Sequence, residues 1–248
     1  MKRKFWVWIL FLGSLALFAA QTLQAFGVVA FHAELFEKKG TIVLDAGHGG
    51  EDGGAVGVNG VLEKDVNLAV ALELEKHLKL NQFDVIMVRD GDLSVGDQSL
   101  GSISARKKSD TKARLRMVEE AGDCILISIH QNHFSQGKYS GAQVFYSNNR
   151  EESARLAESI RKSIVDSLQP ENKRENKAAE ENIYLLYHCQ VPAVLVECGF
   201  LSNPEEAQKL STGVYQKDMA AAIYNGLLDY LKSEKTPPDS TASGLANP

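Results

Sequence analysis

The stretch TIVLDAGHGGEDGG, Thr41 to Gly54, changes character halfway along. Thr41–Asp45 is a short apolar run with the β-branched content of a covered strand. Asp45, His48, Glu51 and Asp52 then follow in quick succession among five glycines. A strand driven into a glycine-rich turn is either a tight corner or a way of presenting His48 for chemistry. Which of the two holds depends on what else the chain brings to such places.

From Lys39 onward the pattern of strand, helix and strand predicts an α/β fold. It is expected to form one domain of about six strands. Strands are predicted at Thr41–Asp45, Phe83–Arg89, Cys124–Ile129, Ala142–Ser147, Ile183–Leu186 and Ala193–Glu197. Helices are predicted at Asp65–Leu80, Lys112–Ala121, Glu151–Leu168, Pro204–Leu210 and Val214–Leu231. Val66, Ala69, Val70 and Leu78 give the first of these an apolar stripe, and Asn203-Pro204 reads as a cap followed by proline in the first turn. Asp90–Asp110 and the charge-rich Gln169–Asn182 are expected to be loops, and residues 233–248 a disordered tail.

At 248 residues, 44% hydrophobic and 24% charged, the chain has ordinary globular composition. Its formal charge of −5 argues against nucleic acid as a partner, because phosphate binding requires a basic surface. Cys124, Cys189 and Cys198 are an odd number with no disulfide framework in their spacing. MKRK followed by the uncharged run Phe5–Ala20 reads as an export signal over residues 1–26, either cleaved or kept as a membrane anchor through residues 5–26. The folded domain is therefore expected at residues 39–232, outside the cytoplasmic membrane, secreted or anchored. Loss of Lys2, Arg3 and Lys4 on cleavage takes the formal charge from −5 to −8.

Three apolar strands end at residues that are costly to bury: TIVLDAGH at His48, CILISIH at His130, and PAVLVE at Glu197. Ligands of open α/β sheets sit beyond the carboxyl ends of the strands, so these endings place two imidazoles and a carboxylate at one rim. Each residue also has an ordinary explanation, as a turn residue, a hydrogen-bonded core histidine or a strand-end carboxylate. Two histidines and a carboxylate suit a zinc hydrolase site with one position left for water. Spacing alone does not select the third ligand among Glu51, Asp52, Glu63 and Asp65.

The segments LDAGHGGEDGGAVG, GVLEKDVNLAVALELEKHL, ILISIHQN and VPAVLVECGFLSNPEEAQKL resemble, in order, those of the zinc-dependent N-acetylmuramoyl-L-alanine amidases. The resemblance spans about Thr41 to Leu231. It implies a mixed and mostly parallel sheet with helices on both faces. It also implies one zinc ion held by His48, Glu63 and His130, with Glu197 as the catalytic glutamate and peptidoglycan as substrate. An export signal joined to a single catalytic domain resembles most those members that help form muramic-δ-lactam in spore cortex and so serve germination. Gln131 departs from the alanine many relatives carry after the histidine, and Asp90–Asp110 follows no family pattern.

Asp45, Asp52 and Asn132 are candidates for orienting the ligands. Arg89 and Arg114 are candidates for contacting substrate carboxylates, although a solvated surface role is the commoner one for such residues. Three other classes compete. Cys198 with His188 suggests a cysteine hydrolase, although strand alternation puts Cys198 on the face opposite Glu197. A noncatalytic wall-binding module needs no poised base, and a zinc peptidase would cut within the stem peptide instead.

Overall fold

In the computed structural model, residues 39–235 and Thr22 are described, and Gly40 onward forms one unit. The expected export segment lies outside the described residues apart from Thr22. Among the described residues, no helix is long and apolar enough to cross a membrane.

Six strands form one sheet: β1 (Thr41–Ala46), β2 (Asp84–Met87), β3 (Cys124–Asn132), β4 (Gln143–Tyr146), β5 (Lys177–Ala178) and β6 (Ala193–Phe200). Their spatial order is β2-β1-β3-β6-β4-β5. The four strands β2, β1, β3 and β6 run parallel, and β4 is antiparallel to β6. The helices are α1 (Glu63–Leu80), α2 (Ile103–Ala121), α3 (Glu151–Leu168), α4 (Tyr184–His188), α5 (Pro204–Leu210) and α6 (Gly213–Lys235). Helix α6 therefore continues three residues into the expected tail.

The parallel strands are buried on both faces, as βαβ crossovers require. On one face, Ile42, Leu44, Ile127, Ile129, Val194 and Val196 pack against α1, α3 and α6. Where α3 meets α6, a Cβ on Gly226 would lie 2.5 Å from the Ile160 Cα, so the small residue permits the close crossing. On the other face, Val43, Leu126, Ala193 and Leu195 pack against α2 and α4. Those two helices cover the second face only in part. Strand alternation puts Asp45, Ser128, His130 and Glu197 on that same face. Asp45 pairs with Ser128 in register, and His130 pairs with Glu197. Between His130 and Asn132 the β3–β6 register shifts, which ends the regular ladder where the site begins.

Local chemistry explains the helix ends. Asn203 accepts from the Glu205 and Glu206 amides at 3.0 and 3.2 Å, and Pro204 occupies the first turn. Ser102 caps α2 by accepting from the Ala105 amide at 3.2 Å. Helix α2 starts well inside the predicted Asp90–Asp110 loop, because ArgLysLys at 106–108 disguises its first two turns as a solvated connection. The predicted strand Ile183–Leu186 is instead helix α4, and the outer strand position is filled by β5 from the charge-rich stretch expected to be a loop. A four-residue apolar run does not distinguish a strand from a buried turn of helix.

Candidate active site

His48 stands at the end of β1 with φ of +62°, a left-handed conformation that is uncommon for a side chain larger than glycine. Its turn is held from behind by two buried arginines. Arg89 donates to the carbonyls of Ala46 at 2.8 Å, Gly47 at 3.0 Å, Gly91 at 2.9 Å and Lys64 at 2.7 Å. Arg114 donates to the Ala46 carbonyl at 2.9 Å, the His48 carbonyl at 2.6 Å and Asp45 Oδ1 at 2.5 Å. The expected surface position of both arginines is thereby corrected. Their side chains are buried, and protein oxygens engage the donors expected to meet substrate.

The imidazole of His48 is fixed at both nitrogens: Nδ1 lies 2.9 Å from Asp52 Oδ2, and Nε2 lies 3.2 Å from Glu63 Oε2. Asp52 is steadied in turn by Lys107 at 2.7 Å, and Glu51 forms a two-pronged pair with Arg106 at 2.7 and 2.8 Å. Glu51 and Asp52 thus tie the glycine turn to the first turns of α2.

Glu63 is the first residue of α1, where the positive end of the helix dipole favours a carboxylate. It is 4% exposed and accepts from the amides of Ala55 at 2.9 Å and Gln131 at 3.1 Å. His130 Nδ1 stands 3.0 Å from Glu63 Oε1. The two imidazole rings meet edge to face at 5.0 Å. Backbone space is as restricted as side-chain space. A Cβ on Gly47 would lie 2.2 Å from His130 Nε2, and one on Gly54, at φ +66°, would lie 2.6 Å from Glu63 Oε2.

One ligand atom each from His48, Glu63 and His130 lies within 4.8 Å of the others, a spacing that a single cation can bridge. Charge supports the same use. Burial alone would lower the His48 imidazole, yet its hydrogen bonds to Asp52 and Glu63 push it up to about 9. Burial opposes the charge of Glu63, but the two histidines hold its carboxyl well below the ordinary range. The pocket is arranged to hold positive charge between these groups.

Glu197 faces the same cleft, a cavity of about 330 Å³ lined by Gly47, His48, His130, Lys107, Thr111 and Tyr184 among others. Its Oε2 is buried and has no hydrogen-bond partner. Burial pushes its carboxyl up to about 7, against the pull of His130. A buried, unsatisfied acceptor is costly, and such cost is tolerated where the group has work to do.

The other expected residues divide. Asp45 accepts from Ser128 at 2.6 Å and pairs with Arg114, so it supports the turn from below. Asn132 lines a neighbouring cleft instead of orienting a histidine, because the shift in register beyond His130 carries it away. Asn67, absent from the sequence expectations, donates to the Gly47 carbonyl at 3.1 Å and Glu63 Oε1 at 3.4 Å, and accepts from Gln131 at 3.1 Å. Its position four residues after Glu63, one helical turn on, was the available signal. Cys198 is fully buried in the core on the opposite face, its thiol pushed up to about 12 by that burial, which removes it as a nucleophile.

Residues 42–229 match the N-acetylmuramoyl-L-alanine amidase family. The chain belongs to this family. It is 38% identical to the germination-specific N-acetylmuramoyl-L-alanine amidase of Bacillus subtilis, over 80% of this chain and 82% of that one. Among solved structures it is similar to the CwlD amidase of Clostridioides difficile, determined in complex with the GerS lipoprotein. That match has a TM-score of 0.75 and 37% identity, covering 78% of this chain and 98% of the other. The AmiC2 amidase of Nostoc punctiforme matches with a TM-score of 0.66 at 30% identity, over 77% and 97% of the two chains. The fold of this amidase is therefore the one that the resemblance implied.

The buried Asp45–Arg114 pair gives a stability prediction. Burial raises the Asp45 carboxyl, but Arg114, His130 and the Ser128 hydroxyl together outweigh it and hold the group below its ordinary value of 3.8. Stability from the pair is complete above that ordinary value and is lost as pH falls through the lowered one. Asp45→Asn leaves Arg114 partly uncompensated and is expected to cost the amidase about 3 kcal/mol, read from the urea midpoint at pH 7. An unchanged midpoint would show that Asp110, also paired with Arg114 at 2.6 Å, suffices alone.

Proposed function

We propose that His48, Glu63 and His130 hold one zinc ion and that Glu197 is the general acid–base for hydrolysis of the amide joining N-acetylmuramic acid to L-alanine. The observation that carries this is the convergence of three donor atoms within 4.8 Å beside a buried carboxylate oxygen that lacks a partner. The donor set of two imidazoles and one carboxylate suits zinc with a position left open.

Zinc bound there supplies Lewis acidity, lowering the pKa of water to about 7 and polarising the amide carbonyl. Asp52 engages Nδ1 of His48, so Nε2, which here faces Glu63 Oε2, would be the ligating atom once its proton is displaced. Asn67 and the Ala55 and Gln131 amides fix both oxygens of Glu63. Glu197 takes the proton from the attacking water and delivers it to the leaving amine of L-alanine. A carboxyl raised towards neutrality suits both halves of that transfer.

The wall on which this occurs lies outside the cytoplasmic membrane, and spore cortex is the substrate that the 38% identical germination-specific relative favours. Removal of the stem peptide there prepares muramic acid for conversion to muramic-δ-lactam. The deciding assay is release of free L-alanine amino termini from purified peptidoglycan, abolished by a chelator and restored by zinc. New amino termini from other residues would point to a stem-peptide peptidase, and no new termini to a binding module.

A further inference from the structure

Beside Glu197 a second cleft of about 400 Å³ opens on the antiparallel side of β6. Gln143, the cross-strand partner of Glu197, lines it, as do Asn132 and Phe200 from the ends of β3 and β6. Phe134 and Tyr139 form its outer wall, 47% and 38% exposed, with their rings edge to face at 5.1 Å. The loop that carries them is pinned: the Phe134 amide donates to Ser202 at 3.1 Å, and Asn203 donates to the Tyr139 carbonyl at 3.3 Å. Two large rings fixed in an exposed position mark a binding surface more than a packing remnant.

The two clefts differ in charge. In the first, each cationic side chain is engaged by protein carboxylates, Arg114 by Asp45 and Asp110, and Lys107 by Asp52. In the second, the lining includes Arg174 and Lys177 and no carboxylate. Among the described residues, neither of these cations makes an ion pair. The Arg174 guanidinium lies 4.9 Å over the Phe200 ring and donates to Gln143, which fixes its plane, while its Nε is buried without a partner. A planar, pre-oriented cation beside aromatic walls suits bidentate capture of a carboxylate.

We propose that this cleft is the stem-peptide subsite, in which Arg174, assisted by Lys177, reads a free carboxylate close to the scissile bond. The inference rests on Glu197 marking the reaction centre. On the peptide side of that bond, L-alanine is followed by an acidic residue linked through its side chain, whose α-carboxylate is left free. The sugar side carries no comparable charge. The unpaired cations therefore assign the peptide to this cleft and leave the sugar to the other, fixing the direction in which substrate lies across the strand ends.

The test uses the full-length, zinc-loaded chain and two muramoyl tripeptides that differ only in whether this carboxylate is free or a primary amide. The wild-type chain is expected to favour the free acid about tenfold in kcat/KM, through KM. Arg174→Met should erase that preference and Arg174→Lys should keep part of it. A full preference in Arg174→Met overturns the proposal. So does a loss that grows with the number of sugars at a constant acid-to-amide ratio, which would give the cleft to the glycan strand. Calorimetric binding of the sugar-free tripeptide separates the subsite from the reaction. It should weaken about tenfold in Arg174→Met, and equal binding overturns the subsite. Intact, Arg174-dependent binding by a wild-type chain that hydrolyses neither substrate would reject the reaction centre and retain the subsite.

Discussion

Glu197→Gln is expected to keep the fold and the metal while losing about 10²–10⁴-fold in cleavage rate, the usual worth of a positioned acid–base group. The substitution is nearly isosteric, and the side chain stands within β6 on the cleft face, where its Oε2 meets no hydrogen-bond donor. Its removal therefore breaks no contact that holds β6 in place. The amide cannot accept a proton at neutral pH, so the residual activity should also lose the acid limb that ionisation of Glu197 imposes. Metal content measured beside kcat separates this outcome from collapse of the site. Full activity in a variant that retains zinc would remove Glu197 from its role.

The second large effect is loss of the ion itself. His48→Ala with His130→Ala leaves Glu63 as the sole donor of the three, and metal content after dialysis should fall from near stoichiometric to background, with activity lost alongside. Retention of zinc equal to wild type would show that the ligands lie elsewhere. Proton release offers an independent reading. In the metal-free chain His48 is pushed up to about 9, so at pH 7 it carries a proton that a cation must displace. That imidazolium contributes stability that is complete below its ordinary value of 6.5 and lost as pH rises through about 9. Zinc titration at pH 7 should acidify an unbuffered wild-type sample and leave the double variant unchanged.

Much of this site is legible in the chain because strand alternation and strand ends obey simple geometry. TIVLDAGH, CILISIH and PAVLVE each announce where a polar residue must emerge, and Asp45, Ser128, His130 and Glu197 share one face as period two requires. Glu63 was different: it begins a helix, where acidic residues are common for reasons unrelated to metals, and only the family resemblance singled it out. The arginines escape a reading of sequence because burial of a guanidinium depends on carbonyl oxygens that sequence does not place. Those of Ala46, Gly47 and His48 become acceptors only once the turn has folded back on itself. Helix α4 and strand β5 were exchanged because both are too short for periodicity to decide.

The parts of this fold have unequal freedom to change. Inserting a single residue into β3 or β6 would turn His130 or Glu197 away from the cleft towards α1, α3 and α6, so the floor admits no shift of frame. Over it lie α2 and α4, which pack on Val43, Leu126, Ala193 and Leu195 through Leu115, Val118, Leu185 and Leu186. They also hold Asp45 through Arg114, so only the connections before these helices are free to vary. Segments there can be lengthened, shortened or exchanged while the strands keep their reading frame. The molecule thus separates a fixed reaction frame, helices included, from the connections at its rim, and new wall chemistries are best sought by grafting those connections onto the frame.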